Sequence, residues 1–257
     1  MKTQTIGFIG GGRITKIFLQ SFQNKSIDFK RIVVYEPSEE TASSLKKQFP
    51  EIDLASHSQV AAEQDILFLA VHPPQIMENL EEVKDALRKD STVISFAPKI
   101  TIEKIASSIP TGKIIRMIPN ATSYINEGVN PLTMHSSFNQ DEKKELIDLL
   151  KVTGRLIEVE EKMLEGYAIV SAMLPTYFWF QWKKMEEIAV KTGFTETEAR
   201  NLIGETLEKS AILYYHSKLS PEEVMDLIPV KPIGENEKEI EQILETRLTG
   251  LYNKIKP

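Results

Sequence analysis

Thr5-Ile6-Gly7-Phe8-Ile9-Gly10-Gly11-Gly12-Arg13-Ile14-Thr15 is a short apolar run that ends in glycines and passes directly into a new pattern. Ile6, Phe8 and Ile9 suit a strand buried on both faces. Ile14, Ile17, Phe18 and Phe22 then fall on one helical stripe, so a helix starts at the glycines. Gly10 and Gly12 match the first two positions of G-x-G-x-x-G. There one glycine permits a tight turn and the next lets the backbone approach a pyrophosphate. The following helix supplies unpaired N–H groups and a positive dipole end. Gly11, Arg13 and Ile14 complete the candidate loop. Thr15 stands where a third small residue is usual, which predicts looser packing of helix on strand. By itself a glycine triplet is equally a flexible turn; its strand–turn–helix setting favours a dinucleotide.

Beyond this stretch the two periods alternate. Strands are expected at Arg31–Glu36, Asp65–Val71, Thr92–Phe96 and Lys113–Ile118, with Val129–Met134 and Arg155–Val159 extending the sheet. Asp65–Val71 is the most apolar run and the expected central strand. Helices are expected from Pro37 to Gln48, over Gln75–Arg88, Ile102–Ser107 and Asp141–Lys151. Such alternation predicts an α/β fold: a Rossmann-like, doubly wound parallel sheet covered on both faces. Strand signals stop near residue 160. The remainder reads as all-helical: one long helix over Lys162–Thr192, bent near Pro175, then helices over Glu196–His216, from Ser220 to about Leu227, and a final one to about Lys254. Gly193 reads as a C-cap and Thr195 as an N-cap. The expected domains are 1–160 and 161–257.

Composition narrows the function. The 257 residues carry 31 basic and 37 acidic side chains, a net charge of −6, with no global basic field for nucleic acid. Residues 1–155 balance at 19 against 19, and the acidic surplus lies wholly in residues 156–257, at 12 against 18. Cys is absent, which removes disulfides, thiolate metal sites and cysteine nucleophiles. His57, His72, His135 and His216 show no metal-ligand spacing, so no metal is expected. No stretch approaches a membrane span, and the opening residues show no secretory pattern, so a cytoplasmic chain acting on a small molecule is expected.

Glu36 follows Gly12 by 24 residues at the end of the second strand. A carboxylate there can accept hydrogen bonds from the adenosine ribose, which leans towards NAD over NADP; it can equally be a solvated strand-end charge. Arg13 is a possible phosphate partner that keeps NADP open.

The chain resembles the pyrroline-5-carboxylate reductase family, which makes proline by hydride transfer to a cyclic imine. The resemblance is carried by Gly7–Gly12, by Val71-His72-Pro73-Pro74-Gln75 against V-K-P-Q, by Ile94-Ser95-Phe96-Ala97-Pro98-Lys99-Ile100 against I-S-I-A-A-G-[VI], and by Arg116–Thr122 with Asn126-Glu127-Gly128 against R-x-M-P-N-T…G-E-G. It implies cofactor contacts from Val71, His72, Pro73, Gln75, Ser95 and Ala97. It also implies a substrate site drawing on Asn120, Pro175, Gly234, Glu235 and Asn236, and a homodimer interlocked through the C-terminal helices. Asn120, Asn236 or an ordered water are the candidates for supplying the proton.

Several positions depart from the family. His72 replaces its Lys and Lys99 its Gly. Bulky Met173 and Leu174 stand where it has small residues, and Lys231-Pro232-Ile233-Gly234-Glu235-Asn236 stands where it has S-P-G-G-T-T. Glu235 would repel a carboxylate substrate. Glu235 and Asn236 read either as the start of the last helix, with Asn236 its N-cap, or as a pocket rebuilt for a neutral or cationic substrate. The aromatic run Tyr177, Phe178, Trp179, Phe180, Trp182 reads as core or subunit interface, or as cavity lining. The principal reading is an NAD(P)H-dependent reductase; the alternative is a nucleotide-sensing protein that has lost its substrate site. The β-hydroxyacid dehydrogenases rely on K-x-x-N, which this chain lacks, and the deazaflavin-dependent NADP reductases lack a helical second half.

Overall fold

The structure, a computed structural model, describes residues 4–257. Met1, Lys2 and Thr3, part of the stretch read as having no secretory pattern, lie outside the described residues. The chain divides into two compact units: residues up to Ala172 together with Leu251–Pro257, and residues Met173–Gly250.

The first unit alternates as its pattern requires. In chain order it contains β1 (Thr5–Ile9), α1 (Arg13–Asn24), β2 (Arg31–Tyr35), α2 (Glu39–Gln48), β3 (Asp53–Ala55), α3 (Ser58–Ala62) and β4 (Ile66–Leu69). It continues with α4 (Pro73–Val83), β5 (Thr92–Ser95), α5 (Ile102–Ala106), β6 (Ile114–Met117), β7 (Gly128–Met134), α6 (Gln140–Leu150), β8 (Gly154–Glu158) and α7 (Leu164–Tyr167). The strands form one sheet in the order β3-β2-β1-β4-β5-β6-β7-β8, with β4 among the central strands.

One cluster, including Phe8, Phe18, Phe68 and Leu149, covers one face of the sheet; another, including Leu67, Ile76, Val93 and Ile105, covers the other. The aromatics interlock: Phe8 stacks on Phe68 at 4.6 Å between centroids, and Phe18 meets Phe96 at 4.8 Å. Close packing dictates Gly7, because a Cβ there would stand 1.9 Å from the Ala61 carbonyl oxygen of α3.

The first unit departs from expectation in places. The sheet is not wholly parallel, since β7 runs antiparallel to β6. A turn over Ala121–Ile125 reverses the chain between them, and Asn120 caps it by accepting the Thr122 N–H. The short edge strand β3 and helix α3 had no sequence signal; β3 spans only three residues, two of them exposed. Thr15 does not loosen the first helix. It is fully buried and its hydroxyl donates to the Gly10 carbonyl, tying the helix to the glycine turn.

The second unit contains α8 (Trp179–Lys191), α9 (Glu196–His216) and α10 (Pro221–Asp226), and most of α11, which spans Glu237–Ile255. Thr195 and Ser220 each close a capping box, with Glu198 and Glu223. The helix expected over Lys162–Thr192 is broken rather than bent. α7 runs into a widened turn over Ala168–Ala172, a tight turn over Leu174–Tyr177 follows, and α8 starts only at Trp179. Pro175 sits in that tight turn, where its missing N–H costs nothing. Asn236 is not a cap either, because Gly234–Asn236 forms a tight turn that continues directly into α11. No helix among the described residues is long and apolar enough to cross a membrane.

Candidate active site

The glycine turn builds the site. Gly10 has φ 99°, and a Cβ on it would lie 2.7 Å from the Ala70 carbonyl oxygen, so both conformation and space demand glycine. Gly12 differs: a Cβ there would meet nothing within 4 Å. Internal packing therefore gives no reason for Gly12, whereas a ligand lying against the backbone does. Gly12 also occupies the N-cap position of α1, and no side chain caps that helix. The first helical bond runs from the Lys16 N–H to the Gly12 carbonyl at 3.1 Å, so the N–H groups before it lack intrahelical partners. Such a helix start suits an anion such as a pyrophosphate.

A cleft of about 810 Å³ opens over this turn, bounded by Gly11, Gly12, Arg13 and Ile14 on one side and Val71, His72 and Pro73 on another. Phe96, Ala97 and Pro98, beyond the carboxyl end of β5, form a third wall. Ligands of open α/β sheets sit in this crevice outside the strand ends, where neighbouring connections diverge. The residues present thus fit a dinucleotide. Lys16, Thr41, Ser44 and Gln48, which the sequence reading did not single out, also border the cleft, as does Glu40. Their spacing on α1 and on α2 was a usable signal, since both helices start at the cleft.

Glu36 is placed differently from expectation. Its Oε2 accepts the Gly11 N–H at 2.7 Å and its Oε1 accepts the Ser38 N–H at 2.9 Å. The carboxylate braces the glycine loop. Ser95 is buried below the cleft, where its hydroxyl accepts the Ala97 N–H at 3.3 Å. Gln75 lies in the first turn of α4, its N–H donating to the His72 carbonyl at 2.9 Å, and does not border the cleft.

Behind the third wall lies a buried ionic cluster. Arg116 of β6, 1% exposed, donates to Glu161 at 2.8 Å and to fully buried Glu165 at 2.6 Å. It also donates to the Ala97 carbonyl at 3.3 Å, while Glu165 accepts the Lys99 N–H at 3.0 Å and Glu161 the Ile102 N–H at 2.7 Å. The segment after β5 is thereby pinned from below. These contacts explain why the first unit extends to Ala172, twelve residues past the last strand signals. The spacing of Glu161 and Glu165, one helical turn apart, was the only sequence hint.

Asn120 is committed within the fold. Its amide donates to the Ser171 carbonyl at 3.1 Å and the Ser171 hydroxyl at 3.2 Å, and its oxygen accepts from the Thr122 N–H and hydroxyl. Pro175, Gly234, Glu235 and Asn236 belong to the second unit, where Glu235 and Asn236 are exposed.

Comparison with known proteins agrees with this geometry. Residues 5–99 match the model of the family described as NADP oxidoreductase, coenzyme F420-dependent. A pyrroline-5-carboxylate reductase of Corynebacterium melassecola is 25% identical over 252 residues, covering 96% of this chain and 93% of that protein. The enzyme of that name from Escherichia coli is 27% identical over 225 residues, covering 87% and 84%. A crystal structure of Plasmodium falciparum pyrroline carboxylate reductase, with NADP bound, has a TM-score of 0.83 at 22% identity, covering 100% of this chain and 98% of that one. Fold and cleft together define an NAD(P)H-dependent reductase. More narrowly, the chain is similar along most of its length to pyrroline-5-carboxylate reductases.

Proposed function

We propose that the chain reduces the C=N bond of a cyclic imine such as pyrroline-5-carboxylate, with a nicotinamide dinucleotide in the cleft of the first unit. The observation that carries this reading is Gly12: open to a ligand, unneeded for packing, and at the head of an uncapped helix. When bound, the reduced nicotinamide supplies a hydride, which adds to the imine carbon as the nitrogen takes up a proton and the C=N bond becomes C–N. The chain's part is positional. The glycine turn and the α1 N-terminus would hold the pyrophosphate, and Phe96, Ala97 and Pro98 would wall the cleft beside the bound dinucleotide. Of the two asparagines, exposed Asn236 keeps its amide free of any hydrogen bond among the described residues. An ordered water is proposed to deliver the proton to the imine nitrogen.

Both oxygens of Glu36 already accept backbone N–H groups, one from Gly11 of the loop and one from Ser38, so we do not retain the lean towards NAD. Arg13 and Lys16 border the cleft without ion-pair partners among the described residues, and Thr41 and Ser44 add hydroxyls, a setting that accepts a 2′-phosphate. NADPH is proposed to bind at least as tightly as NADH. A homodimer through the C-terminal helices is also proposed, supported by how little the second unit buries within one copy. Bulky Met173 and Leu174, with Glu235, favour the second reading of a cofactor-sensing protein.

One titration separates the readings. NADPH and NADH binding is followed by fluorescence, then oxidation is assayed with pyrroline-5-carboxylate and a panel of cyclic imines and keto acids. Turnover on an imine supports the reductase. Tight cofactor binding with no turnover on any compound favours the sensor, and failure to bind either cofactor overturns both. Glu36→Ala is expected to weaken NADH and NADPH by similar factors; a loss confined to NADH would restore the ribose role.

A further inference from the structure

Lys99, the residue after Pro98 of the cleft wall, combines strain with charge. Its backbone is left-handed, φ 71°, a conformation that among the described non-glycine residues only Ser26 and Asn126 share. Asn adopts it readily; a long side chain pays in strain that glycine would avoid. Strain of this kind persists only where the surroundings over-determine it. Here they do: buried Glu165 accepts the Lys99 N–H, and buried Arg116 holds the Ala97 carbonyl two residues earlier. The result is an exposed ammonium with no ion-pair or hydrogen-bond partner among the described residues, one residue beyond Pro98, the last of the wall residues after β5.

Nothing in the first unit's packing needs this lysine. Its N–H bond to Glu165 would form with any residue, and its side chain is exposed. The cation itself is therefore what the strained position presents. We propose that Lys99 is a specificity-determining residue, the anchor for a carboxylate on the substrate, and that the substrate is an anionic imine or oxo acid. This rests on the reductase reading above and deepens it. An anchor in the first unit also resolves the charge problem posed by Glu235, because an anionic substrate need not be held by the Lys231–Asn236 turn. A phosphate of the cofactor is the other anion that could claim Lys99, and the test separates the two.

The experiment uses the full chain saturated with NADP+, in three forms: parent, Lys99→Gly and Lys99→Arg. Tetrahydrofuran-2-carboxylate and its neutral carboxamide are titrated calorimetrically as unreactive ring analogues. Lys99→Gly is expected to weaken the carboxylate roughly tenfold, as loss of one charge-assisted hydrogen bond implies, and to leave the carboxamide unchanged. Lys99→Arg recovers most of the loss. With pyrroline-5-carboxylate the loss falls on KM more than on kcat. Because glycine relieves the left-handed backbone, the Lys99→Gly melting temperature is at or above the parent's, which a merely structural lysine would not give. Equal weakening of carboxylate and carboxamide, no weakening, no carboxylate binding to the parent, or a loss confined to NADPH affinity would each overturn the proposal. If the parent reduces no imine yet binds the carboxylate through Lys99, the reductase reading fails and the anchor stands.

Discussion

The two units of this chain are both built from well-signalled helices, yet they differ in what they bury. The first packs apolar side chains on both faces of an eight-stranded sheet, with Phe8, Phe68, Ile94 and many others fully out of water. The second buries Ala199 and no other described residue, while Phe180, Tyr215 and Val230 are 67%, 74% and 74% exposed. Capping boxes at Thr195 and Ser220 show that its helices are locally well specified. Local specification does not make a core, because helical stability comes mainly from packing an apolar face. The first unit thus carries its own apolar core. The second is a set of helices whose apolar faces call for cover, as a second copy would give.

The contrast can be broken most violently inside the first unit. Arg116→Ala strands Glu165 as a buried unpaired charge, and should cost about 3–5 kcal/mol of stability in denaturant melts. A loss below about 1 kcal/mol would show that the cluster is solvated and that α7 is not locked to the sheet. Next in size, Phe180→Glu with Tyr215→Glu should weaken self-association by about 2–4 kcal/mol in sedimentation experiments, each residue being exposed within one copy. Leu54→Glu, at an exposed apolar site of the first unit, should leave association unchanged. Equal effects from both units would erase the distinction.

Smaller again is the effect that separates packing from function within the glycine turn. Gly12→Ala fills open space at an ordinary φ of −79°, so stability should stay within about 0.5 kcal/mol. NADPH binding should fall about 10–100-fold, because the added methyl occupies the place of the pyrophosphate. Unchanged NADPH affinity would remove the main support for the cleft.

The smallest expected effect is a pH dependence at the cap of α6. A hydrogen bond from Lys113, and after it the Asn139 N–H, hold the Glu142 carboxyl below its ordinary 4.5. Because the folded value is depressed, this contribution to stability is complete above 4.5 and is lost as pH falls through the lower folded value. Glu142→Gln should flatten the acid limb of the stability profile in that window. Parallel profiles would show that the pairing contributes nothing.

Much of the first unit was legible because its apolar runs are short, β-branched and bounded by breakers. β1 spans the residues its pattern predicts, and β4 falls among the central strands. The direction of β7 was not legible, since alternation says nothing about a reversal imposed by the Asn120-capped turn. Nor was the break after Ala172: Pro175 marks a disturbance, but whether a helix bends or stops depends on what its flanking turns pack against. Within the site, Gly10 and Gly12 stood out by motif spacing, whereas Val71, His72, Pro73 and Ala97 were named only through the family resemblance. The engagement of Glu36 was not legible, because a carboxylate at a strand end can serve a ribose or the adjacent loop, and only geometry chooses between them. The cluster of Arg116 with Glu161 and Glu165 joins residues 45 and 49 positions apart, a pairing no local pattern reveals.

The most direct test of the account is to follow the hydride. The full chain is incubated with pyrroline-5-carboxylate and NADPH deuterated at the nicotinamide C4, and the product is examined by mass spectrometry and NMR. Deuterium on the ring carbon that was the imine carbon of pyrroline-5-carboxylate, with Gly12→Ala slowing its transfer, is the predicted result. Tight NADPH binding with no deuterium transferred to this or any other cyclic imine would contradict the claim that this chain is a reductase.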